Sequence, residues 1–208
     1  MATLVDNVLA EARNYSALEA IAVVTAIMYL LLAIRQKIGC WLFALVSAAI
    51  YVYLFIDAKL YMQSALNIFY FGMACFGWYS WRSGAGNKGE LPVISWSFPV
   101  HLQAIGAVIV VGAINGFLLE LYTDAEFSYV DSFTAWAAIW TTYLVARKVL
   151  QNWWYWLVID VTLVFVYWQN ALHLTSLLFV VYVLLIPIGL VSWTRSHRET
   201  LHAKTTIA

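Results

Sequence analysis

Apolar residues in this chain fall in long runs separated by short polar stretches, without the strict alternation of a half-buried strand. Seven runs stand out: Ala17 to Ile34, Cys40 to Ile56, Leu60 to Trp81, Val100 to Leu119, Ser132 to Ala146, Trp153 to Asn170 and Leu172 to Trp193. A hydrocarbon core about 30 Å thick takes roughly 20 apolar residues of helix. Lipid offers the backbone no hydrogen bonds, so each run predicts a spanning α-helix. The fifth and sixth are short, and their ends are the least sharply defined. The pattern predicts an all-α integral membrane protein with seven transmembrane helices, residues 1–208 forming a single membrane domain.

A repeat is superimposed on the runs. A shift of about 112 residues aligns the second and third runs with the sixth and seventh without a gap. Trp41 meets Trp153, Leu60 meets Leu172, Ser64 meets Ser176, Tyr70 meets Tyr182, Gly77 meets Gly189, and Ser80 with Trp81 meets Ser192 with Trp193. Leucine and valine coincidences mean little in apolar helices; aligned tryptophans, glycines and a tyrosine mean more. Repeat one then covers about 17–81, a connector helix about 100–119 and repeat two about 132–193. Three spans per repeat is an odd number, so the connector returns the chain to its starting side. The result is a 3+1+3 parallel repeat, an arrangement by which transporters place a substrate site between two halves that rock. Gly112 and Gly116 give the connector a small-xxx-small pair suited to close helix approach.

Basic residues accumulate in short cytoplasmic loops. With the N-terminus outside, the inner loops hold Arg35, Lys37, Arg82, Lys88, Arg147 and Lys148, and the C-terminal tail holds Arg195, Arg198 and Lys204. Only Arg13 and Lys59 remain outside, with the acidic connection of Glu120, Asp124, Glu126 and Asp131. The expected topology is N-out and C-in. Composition agrees: 64% of the 208 residues are apolar and 11% charged, against an apolar share of about half in soluble domains. A formal net charge of zero gives no reason to expect nucleic acid. Cys40 and Cys75 sit in apolar runs without pairing pattern or metal-ligand spacing, so free buried thiols and no metal or cofactor are expected. The N-terminus lacks a basic region, short apolar core and cleavage site, so no cleaved signal peptide is expected.

The chemistry lies in polar residues inside the runs. Trp153, Trp156, Asp160 and Tyr167 are spaced by three, four and seven residues and share one helix face. Asp160 sits about 10 Å into its span at 1.5 Å per residue. An ionisable group at that depth costs roughly 2.5 to 3.5 kcal/mol by insertion scales and usually faces a polar interior or a partner. The plainer reading makes it a hydrogen-bonded tie to Thr141 or Thr142 of the fifth span. The other makes it part of a cavity that holds a cation or a polar ring stacked on indoles. Gln63, Asn67, Tyr70, Ala74 and Trp78 follow helical spacing on the third span, and Tyr182 is central in the seventh. Asp160, Asn67, Tyr70 and Tyr182 can converge near the midplane, although asparagines and tyrosines also serve simply as helix glue. Trp81, Trp193 and Trp96 read as interfacial anchors, and Trp153 equally as anchor or gate. Pro187 marks a bend that is either a hinge or a packing feature.

Asn152, Trp153 and Trp156 in the pattern NWxxW, with Asp160 four residues on and GWYSW closing the third span, resemble the PnuC family of bacterial vitamin transporters. The resemblance runs over essentially the whole chain and includes the DSFTAW opening of the fifth span at Asp131 to Trp136. It implies a homotrimer in the bacterial inner membrane that moves nicotinamide riboside by facilitated diffusion. A cytoplasmic vitamin kinase then traps the substrate by phosphorylation; related branches carry thiamine or riboflavin. It also implies substrate-binding roles for Trp153, Trp156 and Asp160, for Asn67 and Tyr70 with neighbouring Gln63, and for Tyr182. Nicotinamide riboside carriers of that family place asparagine at the positions of Asp160 and Ala74. The acid and the methyl found here suit a cation or an aminopyrimidine edge, which keeps thiamine open as the alternative.

Other classes lack their residues. A retinal receptor needs a lysine within the last span, and Leu172 to Trp193 has none. Haem would need histidines facing each other inside spans, whereas His101 and His173 sit at span ends and His197 and His202 in the tail. An intramembrane hydrolase would need a paired acid or a serine and histidine at depth. No enzyme activity is expected, and a purely structural membrane protein is the remaining rival.

Overall fold

The computed structural model describes residues 17–57, 61–84, 91–123, 127–170 and 173–205. Seven helices carry them: α1 Ala17–Ile34, α2 Cys40–Asp57, α3 Tyr61–Ser83, α4 Phe98–Tyr122, α5 Ser128–Ala146, α6 Asn152–Gln169 and α7 His173–Thr205. Arg13, Lys59, Leu60, Lys88, Asp124, Glu126 and Leu172 lie outside the described residues, as do the side chains of Gln63 and Lys204. By length and composition α1, α4 and α7 are each apolar enough to cross a membrane, and α2 holds a shorter apolar stretch. The polar residues of α3, α5 and α6 lower their hydropathy because those helices share their surfaces with other helices.

Contacts between helices trace a ring. α1 packs on α2, α2 on α3, α3 on α5, α5 on α6, α6 on α7, and α7 closes back on α1. α4 stands outside that ring and packs on α5. Gly112 and Gly116 explain its close fit, since a Cβ at either would run into the ring of Phe133 or of Tyr129. Most of its remaining surface is exposed and apolar, including Ile109, Ile114 and Phe117, as lipid-facing helix should be.

Several contacts occur twice, 112 residues apart. The Ser64 hydroxyl donates to the Val52 carbonyl at 3.3 Å, and that of Ser176 to Val164 at 2.9 Å. Trp41 meets Trp81 edge-on at 5.5 Å between ring centroids, and Trp153 meets Trp193 in the same way at 5.5 Å. The Trp41 indole lies against Gly77 and that of Trp153 against Gly189; a Cβ at either glycine would overlap the ring. The Trp81 Nε1 donates to the Val145 carbonyl at 3.2 Å, and the Trp193 Nε1 to Ala33 at 3.0 Å. With Trp81 and Trp193 also 6.3 Å apart, the four indoles form one buried knot across both contacts that close the ring. Edge-to-face pairs of this kind add roughly 0.5–1.5 kcal/mol each beyond area burial.

This knot corrects the reading of Trp81 and Trp193 as interfacial anchors. Both are buried, because glycine on the facing helix surfaces leaves room for indoles inside the bundle and their N–H groups find carbonyls there. The Trp153 indole is buried in the same knot.

The turns after α1 and α5 also match. Lys37 N–H reaches the Leu32 carbonyl and Gln36 N–H that of Ala33; Val149 N–H reaches Leu144 and Lys148 N–H reaches Val145. That pair of bonds is the Schellman closure, in which the residue after the cap turns left-handed and is usually glycine. Here those residues are Gln36, at φ 56°, and Lys148, at φ 50°. A side chain in that conformation costs roughly 1–2 kcal/mol.

Three element ends differ from expectation. α5 begins at Ser128 rather than Ser132, since Ser128 and Ser132 are buried and Asn115 of α4 donates to Ser132 at 3.1 Å. α4 begins at Phe98, with Pro99 in its first turn, where a missing N–H is harmless. α7 runs unbroken past Trp193 to Thr205, so the expected tail is helical, with Arg195 and Glu199 paired at 3.1 Å one turn apart. Residues 91–97 run beneath the ring on this side: Ile94 bridges to the α5–α6 turn, and His197 Nδ1 lies 2.8 Å from the Val93 carbonyl.

Candidate functional site

Asp160 lies midway along α6 and is only 5% exposed. It comes within electrostatic range of Tyr70 from α3 and Tyr182 from α7. Tyr29 of α1 lies within that range of both tyrosines, Tyr167 of α6 within range of Tyr70, and Tyr51 of α2 within range of Tyr182. Five of the six ring helices thus bring phenol or carboxyl groups to one central region. The arrangement follows from helical spacing, which holds one face of each element towards the ring interior.

The carboxyl does not tie α6 to α5 as the plainer reading required. Thr141 donates its hydroxyl to Ala137 at 2.7 Å and Thr142 to Ala138 at 2.8 Å, both within their own helix. Among the described residues Arg195–Glu199 is the salt bridge, so Asp160 has no cation of the chain beside it. A desolvated acid without a fixed partner leaves electrostatic stabilisation available to a cationic or hydrogen-bonding guest. The residue 112 positions earlier is Ala48, also buried, so the acid has no twin across the ring.

The other expected residues divide. Asn67 is half-buried one turn before Tyr70 on the same face of α3. Trp156 is half-buried one turn before Asp160 and packs against the core cluster that holds the four-indole knot. Trp153 is inside that knot rather than beside the carboxyl. Ala74 is fully packed in the core. Gln63 belongs to α3 by its backbone. Phe179 connects Tyr167 to Tyr182, stacked on the first at 5.2 Å and edge-on to the second at 5.5 Å. Sequence reasoning missed Tyr29 and Tyr51; the available signal was a lone hydroxyl in the interior of an apolar run.

A separate cleft of about 440 Å³ opens outside the ring between α4, α5 and α6, lined by Ile105, Ile109, Phe133, Trp140, Tyr155 and Ile159. It is apolar and faces away from Asp160.

Comparison with known proteins gives the arrangement a context. A family model described as nicotinamide mononucleotide transporter matches residues 16–195. The nicotinamide riboside transporter PnuC of Escherichia coli (strain K12) is 26% identical over 213 aligned positions, covering 89% of this chain and 88% of that protein. Its counterpart in Shigella flexneri gives the same identity and coverage. Among solved structures, the crystal structure of the vitamin B3 transporter PnuC superposes with a TM-score of 0.71 at 21% identity, covering 94% of this chain and 88% of that one. That likeness carries the fold: seven helices in the same arrangement. The chain belongs to the nicotinamide mononucleotide transporter family and is a multi-pass inner-membrane transporter, not an enzyme.

Proposed function

We infer that this protein carries nicotinamide riboside into the cell by facilitated diffusion, with trapping by a cytoplasmic kinase that phosphorylates the vitamin. The observation that carries the reading is the deep, unpaired carboxyl of Asp160 among tyrosines from four other helices. A cationic pyridinium ring supplies the charge that Asp160 lacks, and phenols supply hydrogen bonds and ring faces. The names of the E. coli and S. flexneri relatives supply the substrate. Trp156, Asn67, Tyr70, Tyr182 and Gln63 complete the binding surface in this reading, and Trp153 acts at its edge. The transported state is a homotrimer with its N-termini outside and C-termini inside, each protomer working as two parallel halves joined by α4.

Thiamine is the second reading. An acid at position 160 pairs with its thiazolium or accepts from its aminopyrimidine, and the Ala74 methyl leaves no amide to compete. Riboflavin brings no cation to the carboxyl. Calorimetric titration of detergent-purified protein with the three vitamins in parallel decides between them. Tight binding of nicotinamide riboside alone supports the first reading and of thiamine alone the second; no binding of any returns the chain to a structural role.

A further inference from the structure

Lys148 is a cation only 2% exposed. It belongs to the turn between α5 and α6, yet its Nζ donates to Gln36 Oε1 of the α1–α2 turn at 3.3 Å and stands 4.5 Å above the Trp81 ring at the end of α3. Both partners come from the other half of the ring. The remaining printed bonds between the halves cluster at this same end: Trp81 to Val145, Trp193 to Ala33, and the Ser192 hydroxyl to Ile34 at 2.9 Å. The bundle is therefore sewn together on the side that holds the short basic turns.

The backbone supplies a second, independent observation. Gln36 and Lys148 occupy the two left-handed positions where a helix closure ordinarily takes glycine. Strain of that kind persists where the side chain has a use. The use visible here is that these two side chains bond each other across the ring. Position 36, the counterpart of 148, carries an uncharged amide, so the contact holds one positive charge and not two.

We propose that Lys148 is the latch of the cytoplasmic gate: its ammonium, held between Gln36 and Trp81, keeps the two halves closed beneath the substrate region and must leave both partners for the inner side to open. The proposal rests on the reading of the chain as a carrier with two moving halves. It also gives the exit a specificity for charge, because a cationic vitamin cannot pass while a buried ammonium occupies the seam.

Cys40 provides a reporter that needs no ligand. It is 0% exposed, opens α2 just beyond the Gln36 turn, and lies within electrostatic range of Lys148. Cys75 is exposed and is replaced by serine in every protein compared. Membrane-impermeant maleimide is applied to the cytoplasmic face of reconstituted full-length protein. Lys148→Met raises the Cys40 alkylation rate at least about tenfold, with its thermal melt still cooperative, and Lys148→Arg stays within about twofold of the parent. A folded Lys148→Met that labels at the parent rate, or a Lys148→Arg that labels as fast as the methionine variant, overturns the latch. Should Lys148→Met not fold, Gln36→Ala is read by the same criterion: faster labelling supports the latch and the parent rate refutes it. Vitamin titration is independent of this readout, so failure of the latch and failure of the transport reading are separately visible.

Discussion

Asp160 and Trp156 make different demands on a substrate, and substitutions separate them. Replacing the acid by its amide keeps shape and some hydrogen bonding while removing charge. Asp160→Asn is expected to weaken binding of a cationic vitamin by roughly 1.5–3 kcal/mol, the range for a hydrogen bond to a charged group. Its apo form should melt no lower than the parent, since neutralising an unpaired buried acid removes a desolvation cost. Normal affinity combined with a lower melt would make Asp160 a structural tie after all. Trp156→Ala should cost about 1–3 kcal/mol of affinity through a lost stacking or cation–π contact, by the same titration. An unaltered dissociation constant in folded Trp156→Ala would assign that indole to packing alone. At this scale Asp160, Tyr70 and Tyr182 were legible because each interrupts an apolar run at mid-depth. Trp81 and Trp193 were misread because an indole at a span end looks the same in sequence whether it meets headgroups or a glycine on a facing helix.

The elements are held by those glycines. A methyl at Gly77 or Gly189 would overlap the indole of Trp41 or Trp153, and both indoles are boxed in by a neighbouring tryptophan. Gly77→Ala and Gly189→Ala should each destabilise by roughly 1–3 kcal/mol, the range for overpacking a core. Gly106 of α4 has nothing within 4 Å of the added atom. Gly106→Ala should be neutral or stabilising by up to about 1 kcal/mol through helix propensity. Thermal melts in one detergent compare all three; a Gly77→Ala melt equal to that of Gly106→Ala would mean that the knot can reopen at no cost. The runs located all seven helices, because an unbroken apolar stretch has few alternatives in a bilayer. They missed the start of α5, where buried serines replace apolar residues, and the helical end of α7, where a polar surface in water carries no hydropathy signal.

For the molecule as a whole the expected behaviour is passive. Proteoliposomes should equilibrate labelled nicotinamide riboside without a proton or sodium gradient, and an imposed gradient should not raise the final level. Accumulation driven by a proton gradient would make Asp160 the proton carrier. The ring itself was only half visible beforehand: matched tryptophans and glycines 112 residues apart announced that two sets of helices correspond, but which helices touch across the seam is decided by side-chain shape.

Ala48 opposite Asp160, and Gln36 opposite Lys148, carry a consequence for the ancestry of such a ring. Three-helix units assembled as two identical chains would have to place every charge twice: two carboxyls at the centre or none, two ammonium groups at the seam or none. Two like charges confronting each other at the axis of a bilayer-embedded ring would repel at short range with little water to screen them. A single chain escapes that rule of identical copies. Joining the units through α4, which leans on α5 without entering the ring, lets one copy keep a methyl while the other takes an acid. Binding a monovalent cation then needs only one negative charge, and covalent fusion is what permits an odd number.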